Sequence, residues 1–310
     1  MSDVKALAAD WGYAGGWKFV RKMPESSANR MFRELADRSW RADSTSVQRM
    51  RGNYRQVVGP EMTADELDEL TREGMRSYLR YWSEVFRLPD WSPEYVSRRM
   101  HLHNVQQLTN AFDTGRPVVG VLTHSANWDL VGRWFTQTHR PLTTVAERLK
   151  PESLFDRFVA YRESLGMEVL AHSGQVDLYP RLMAAGREGR LLALLAERDL
   201  TARGIPVQFM GQPTKMPAGP GALAVDIDAL VVPVELWYEG PDMHGLAHSP
   251  FEAPKTGTRD EKIAAVTQEM ADTFTAAVRR HPQDWHMMQR MWTDVEPLSR
   301  ADAKAAERRG

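Results

Sequence analysis

The hydrophobic positions change period once along the chain. Through about residue 100 they recur at helical spacing. Ala28, Met31, Phe32, Leu35, Ala36 and Trp40 share one face, and a loop follows through Gly52 and Gly59-Pro60. Thr63 and Glu66 have the spacing of a capping box, and Leu67, Leu70, Gly74, Tyr78, Leu79, Trp82, Val85 and Phe86 then make a long apolar stripe ending before Pro89. These helices read as packing rather than chemistry. From residue 105 short apolar runs alternate with helical patterns, the texture of crossover units on a sheet. Strands are predicted over 117–123, 142–146, 167–171, 191–196, 207–210 and 230–237, and helices over 127–136, 151–165 and 176–185, with Gly166 as a C-cap. A last helix, 260–280, carries Ile263, Val266, Met270, Phe274 and Val278 on one face. With no internal repeat, the pattern predicts an α/β fold in one domain, 1–310. A helical N-terminal region, 1–104, would precede a core, 105–292, in which helices flank a central, mostly parallel sheet.

Composition narrows the function classes. The chain is 42% hydrophobic and 26% charged, ordinary for a globular protein with a sizeable core. Lys and Arg number 40 against 41 Asp and Glu, so no global field draws nucleic acid or an anionic membrane, and no nucleic-acid partner is expected. Cysteine is absent, which removes a disulfide framework, a thiolate zinc site and a cysteine nucleophile together. Asp3 and Asp10 interrupt what would be the apolar core of a signal peptide, and no apolar run has the ~18 residues of a membrane span. Surface attachment remains open. Trp11, Trp17, Phe19, Val20 and Met23 lie among Lys18, Arg21 and Lys22, a composition that suits either an interfacial helix or aromatics packed on the domain.

The chemistry concentrates where the first core strand ends. Val118-Val119-Gly120-Val121-Leu122-Thr123 runs straight into the polar turn His124-Ser125-Ala126-Asn127 and then into a helix. Strand carboxyl ends are where α/β sheets place their sites. If His124 turns back over the first helical turn, Asp129 would hold one ring nitrogen and the other would act as a general base. No G-x-S-x-G elbow occurs, so the nucleophile would be a hydroxyl of the substrate attacking a thioester directly. The bland alternative is that His124 and Asp129 cap a helix. Glu197 ends the strand 191–196 and would share the edge with His124 if the two strands are parallel neighbours; otherwise it pairs with Arg198 or Arg148. Arg162 would reach a phosphate or remain solvated, and Glu147 suits sugar hydroxyls. Lys150, Arg203 and Lys215 are further loop cations, and the stiff segment 214–221 suits a loop lying close to a ligand. His244 and His248 flank Gly245 without a zincin pattern, so no metal site is expected.

His124-Ser125-Ala126-Asn127-Trp128-Asp129 resembles the H-x4-D/E motif of the glycerolipid and lipid A acyltransferase superfamily. Further ordered blocks are similar to the phosphatidylinositol mannoside acyltransferases of mycolic-acid bacteria. They are 144–153, 161–166, 196–200, 216–220 and Asp284-Trp285-His286-Met287, and with the motif they cover most of residues 11–292. The resemblance implies palmitoyl-type transfer from acyl-CoA to a mannose hydroxyl of a phosphatidylinositol mannoside, with no cofactor. The protein would act peripherally at the cytoplasmic face of the plasma membrane. It implies His124 as base, Asp129 as its partner and Glu197 as support, with Glu147, Arg162 and Arg198 on the substrates. Ala126 departs from the glycine that relatives often carry there. The alternatives are another glycolipid or lysophospholipid acceptor, an acyl-CoA thioesterase, or a non-catalytic lipid-binding scaffold. The oxyanion donor stays open between helix N-terminal amides and an arginine.

Overall fold

The computed structural model of the chain describes residues 19–146, 152–171 and 177–308. Helix α1 (Glu25–Ala42) buries Ala28, Phe32 and Ala36, three members of the face expected from spacing. Helix α2 (Thr45–Val58) runs on through Gly52, where a loop was expected. Glycine is needed there for packing, because a Cβ would stand 2.9 Å from the Glu296 carbonyl oxygen of the C-terminal segment. Helix α3 (Ala64–Arg87) opens with the expected capping box. Thr63 accepts from the Glu66 amide and Glu66 accepts from the Thr63 amide, reciprocal bonds of about 1 kcal/mol.

A seven-stranded sheet follows in the order β1 (Met100–His103), β9 (Asp242–Ala247), β8 (Leu230–Glu239), β2 (Val118–Leu122), β5 (Leu191–Leu195), β3 (Leu142–Ala146), β4 (Met167–Ala171). From β8 to β4 all pairings are parallel, whereas β9 runs antiparallel to β8 and takes β1 as a parallel neighbour. The expected α/β, mostly parallel architecture is present. Both faces of β2 are covered, which is why it reads as an unbroken apolar run. Val119 and Val121 face the core made with α2, α3 and α10 (Arg259–Arg280). Val118 and Leu122 face α5 (Gln106–Asp113) and α6 (Trp128–Thr138).

Two further expectations change. The strand at 207–210 belongs to a separate antiparallel hairpin, β6 (Ile205–Phe209) with β7 (Gln212–Met216). The segment 214–221 is the end of β7 and the start of helix α9 (Gly219–Asp226), whose first turn accommodates Pro220 because no intrahelical bond is lost there. Among the described residues no helix is long and apolar enough to cross a membrane.

Candidate active site

Strand register assembles the site. Leu122 stands opposite Leu195 in the β2–β5 ladder, and two residues further on the chain ends bring His124 beside Glu197. One carboxylate oxygen, Glu197 Oε1, accepts both the His124 backbone N–H at 2.7 Å and the ring Nδ1 at 2.7 Å. An ionised carboxylate only accepts, so a ring proton sits on Nδ1, and in the neutral imidazole Nε2 is the nitrogen with the lone pair. The His124 side chain is 41% exposed and that of Glu197 is 0%. Burial pushes the Glu197 carboxyl upward, but the charge and hydrogen bonds of His124 outweigh it and hold Glu197 below its ordinary value.

The turn itself is clamped by distant segments. Ala126 takes a left-handed φ of 48°, which explains why glycine suits this position. The Ala126 amide donates to Asp284 O at 2.9 Å and the His286 amide donates to His124 O at 2.8 Å, two bonds that pair Ser125 with Trp285 as an antiparallel bridge. Asn127 caps α6 by accepting from the Leu130 amide and donates its side-chain amide to Glu84 Oε2, each at 2.9 Å.

Asp129 does not meet the histidine. It lies in the first turn of α6, buried, and accepts from Arg162 Nε at 2.8 Å and Tyr81 Oη at 3.0 Å. The carboxylate on the imidazole is therefore Glu197, and the H-x4-D spacing marks two neighbouring charge pairs instead of one dyad. Burial would lower Arg162, but Asp129 offsets this and keeps the guanidinium raised and charged. Arg162 is thus a buried partner of Asp129, not a solvated cation. Arg198 donates Nε to Arg290 O at 2.6 Å, so its described hydrogen bond is not to Glu197. Glu147, Arg148 and Lys150 lie outside the described residues. Arg203 is exposed, and Lys215 sits in β7 with Nζ on Thr201 O at 3.3 Å.

A cavity of about 60 Å³ opens between α6 and the sheet, and Trp128, whose ring meets that of His124 edge-to-face, lines it. Its cause is side-chain size: Gly120 on β2 is paired with Ala193 on β5, and Gly132 on α6 contributes no side chain. Leu122, Leu195, Val131, Phe135 and Val234 complete an apolar lining that ends on Trp128, Asp129 and Arg162.

Several site residues were not expected. Ser77, Tyr81 and Glu84 lie along one face of α3 at i, i+4 and i+7. Ser77 Oγ donates to Asp284 Oδ1 at 2.6 Å and is 2.9 Å from His286 Nε2. Burial raises Asp284 to about 6 and lowers His286 to about 3, so the imidazole is neutral. Polar residues at helical spacing on an otherwise apolar stripe were the available signal, as was the Asp284-Trp285-His286 block itself. The helical N-terminal region is therefore part of the site, not packing alone.

The paired imidazole and carboxylate at parallel strand ends, in a chain with neither cysteine nor a G-x-S-x-G elbow, suit the class of acyltransferases. Residues 2–294 match the bacterial lipid A biosynthesis acyltransferases, and the chain belongs to that family. It is 43% identical over 285 residues to a phosphatidylinositol mannoside acyltransferase of Mycolicibacterium smegmatis, covering 91% of each chain. It is 40% identical over 308 residues to the phosphatidylinositol mannoside acyltransferase of Mycobacterium tuberculosis, covering 98% of this chain and 95% of that one.

Proposed function

We propose that the protein transfers a palmitoyl-type acyl group from acyl-CoA to a mannose hydroxyl of a phosphatidylinositol mannoside. The observation that carries this reading is the His124–Glu197 pair, separated from an apolar cavity only by the Trp128 ring that touches both the imidazole and the cavity. His124 Nε2 takes the hydroxyl proton as the mannose oxygen bonds to the thioester carbonyl carbon. The tetrahedral adduct then expels the thiolate, the C–S bond breaks, and the proton passes to sulfur to give free CoA and the ester. Glu197 fixes the tautomer and stabilises the imidazolium between those steps. Asp129 and Arg162 hold each other in the cavity wall, so Asp129 acts on the site's shape and not on the ring. At 60 Å³ the cavity admits a long chain only if its side chains part. The names of the relatives support the acceptor, as does their coverage. The remaining roles, Glu147 on sugar hydroxyls and Arg198 on a substrate, belong to the same proposal. A lipid acceptor must be reached from a bilayer, which supports peripheral attachment at the cytoplasmic face of the plasma membrane. Phe19 is 62% exposed beside Arg21 and Lys22, in keeping with such contact.

The test is CoA release from palmitoyl-CoA with and without the glycolipid. Acceptor-stimulated release is expected, reduced about 10²- to 10⁴-fold in kcat by His124→Ala and by Glu197→Gln. Equal release without acceptor would identify a thioesterase, and wild-type rates in His124→Ala would remove His124 from the chemistry.

A further inference from the structure

Acyl transfer builds negative charge on the thioester carbonyl oxygen, and a site that accelerates it must aim a donor at that charge. The polar groups around the cavity are mostly committed. Thr144 Oγ1 donates to Ala193 O at 2.8 Å, and Arg162 Nε donates to Asp129. Trp128 differs. Its ring borders the cavity, stands edge-to-face with His124 at 5.3 Å between centroids and stacks on Tyr81 at 4.2 Å. Its Nε1 is buried and has no hydrogen-bond partner among the described residues. Burying an indole N–H without a partner costs about 1–3 kcal/mol, and buried tryptophans ordinarily find one. Here the ring that carries the orphaned donor touches both the imidazole and the cavity that would take the acyl chain.

We infer that the Trp128 indole N–H is a catalytic hydrogen-bond donor to the acyl carbonyl oxygen, tightening on the oxyanion of the tetrahedral adduct. This rests on the acyl-transfer reading above. The stack on Tyr81 holds the ring, and Tyr81 is itself held by its bond to Asp129. The buried Asp129–Arg162–Tyr81 cluster, which does not touch the imidazole, thereby acquires a role: it orients the donor's support. Placement in the first turn of α6 adds the helix N-terminal field on the same side.

Two variants separate the N–H from the ring. Trp128 replaced by benzothienylalanine keeps size and stacking without the donor, and Trp128→Phe removes both donor and ring area. With palmitoyl-CoA and the glycolipid, the isostere is expected to lose about 10²-fold in kcat with KM changed less than about twofold. Binding of an S-hexadecyl-CoA thioether, which has no carbonyl, is expected to stay as in wild type in the isostere. In a His124→Ala background, the infrared carbonyl band of bound ¹³C-labelled palmitoyl-CoA should lie at lower frequency with Trp128 than with Trp128→Phe. An isostere with wild-type kcat overturns the inference, even if Trp128→Phe is impaired, since that pattern is packing alone. So does a carbonyl band indifferent to residue 128. If wild type itself shows no acceptor-dependent turnover, the acyl-transfer reading fails instead.

Discussion

Asp284 and His286 sit on opposite sides of one serine hydroxyl, and burial moves each away from charge. The acid is raised from 3.8 to about 6, and the base is lowered from 6.5 to about 3. A raised acid stabilises the fold below its unfolded value and loses that stabilisation as pH rises through its folded value. A depressed base does the reverse, costing stability as pH falls below 6.5. Between about 4 and 6 the two slopes oppose, so the pair hides its own titration. Asp284→Asn removes one slope. Relative to wild type its stability should rise with pH across that window by up to about 1.4 kcal/mol per pH unit. Denaturant unfolding at several pH values reads this directly; a pH-independent difference would mean that Asp284 does not titrate there. The same residue scale explains Ala126, whose left-handed backbone fits the turn at some strain and whose amide makes one of the two backbone hydrogen bonds to the segment 284–286.

Helices α2 and α3 hold the brace from behind. Asn53 donates to Met287 O at 2.8 Å and Gln289 O at 2.9 Å, and Tyr54 Oη donates to Trp285 O at 3.0 Å. Tyr54 fits there because Gly74 of α3 has no side chain: a Cβ would stand 2.9 Å from the ring Cζ. Gly74→Ala should gain about 1 kcal/mol of helix propensity and lose about 1–3 kcal/mol to overpacking against a fully buried ring. A lowered melting temperature with a lowered kcat is expected, because Tyr54 leads to Trp285 and so to the His124 turn. A variant more stable than wild type would show that the ring moves aside at no cost. Periodicity made α3 legible, including the capping box at Thr63, whereas α2 was expected as a loop because Gly52 reads as a breaker, and neither Gly52 nor Gly74 announced itself as a packing glycine. Strand β1 follows α4 (Pro93–Arg99) with no turn residue between them, and β9 carries Gly245 and His244 without clean alternation, so neither announces itself.

The whole molecule joins the two regions that the sequence separates. Ser77, Tyr81 and Glu84 of the N-terminal region touch Asp284, Asp129 and Asn127 of the core. A chain beginning at residue 105 would leave those three groups buried or half-exposed without their partners and would uncover the apolar faces that α2 and α3 cover. Such a fragment is expected to aggregate or remain molten, with no acceptor-dependent CoA release. A cooperative unfolding transition with activity near wild type would show that the core needs nothing from residues 1–104.

The sequence by itself determined the local parts: the apolar strand into His124, the cap at Thr63, the helical stripes, and the absence of cysteine and of a serine elbow. Each depends on residues close together in the chain, where period and side-chain type suffice. It also placed Glu197 at a strand end, conditional on pairing. Only the tertiary structure decided which carboxylate meets the imidazole. Asp129 is five residues from His124 and turns away to Arg162, whereas Glu197 is 73 residues away and adjacent, because the β2–β5 register sets neighbours without regard to sequence distance. For the same reason the braces from Ser77, Glu84 and Asp284 could be seen only once the sheet had closed on its helices.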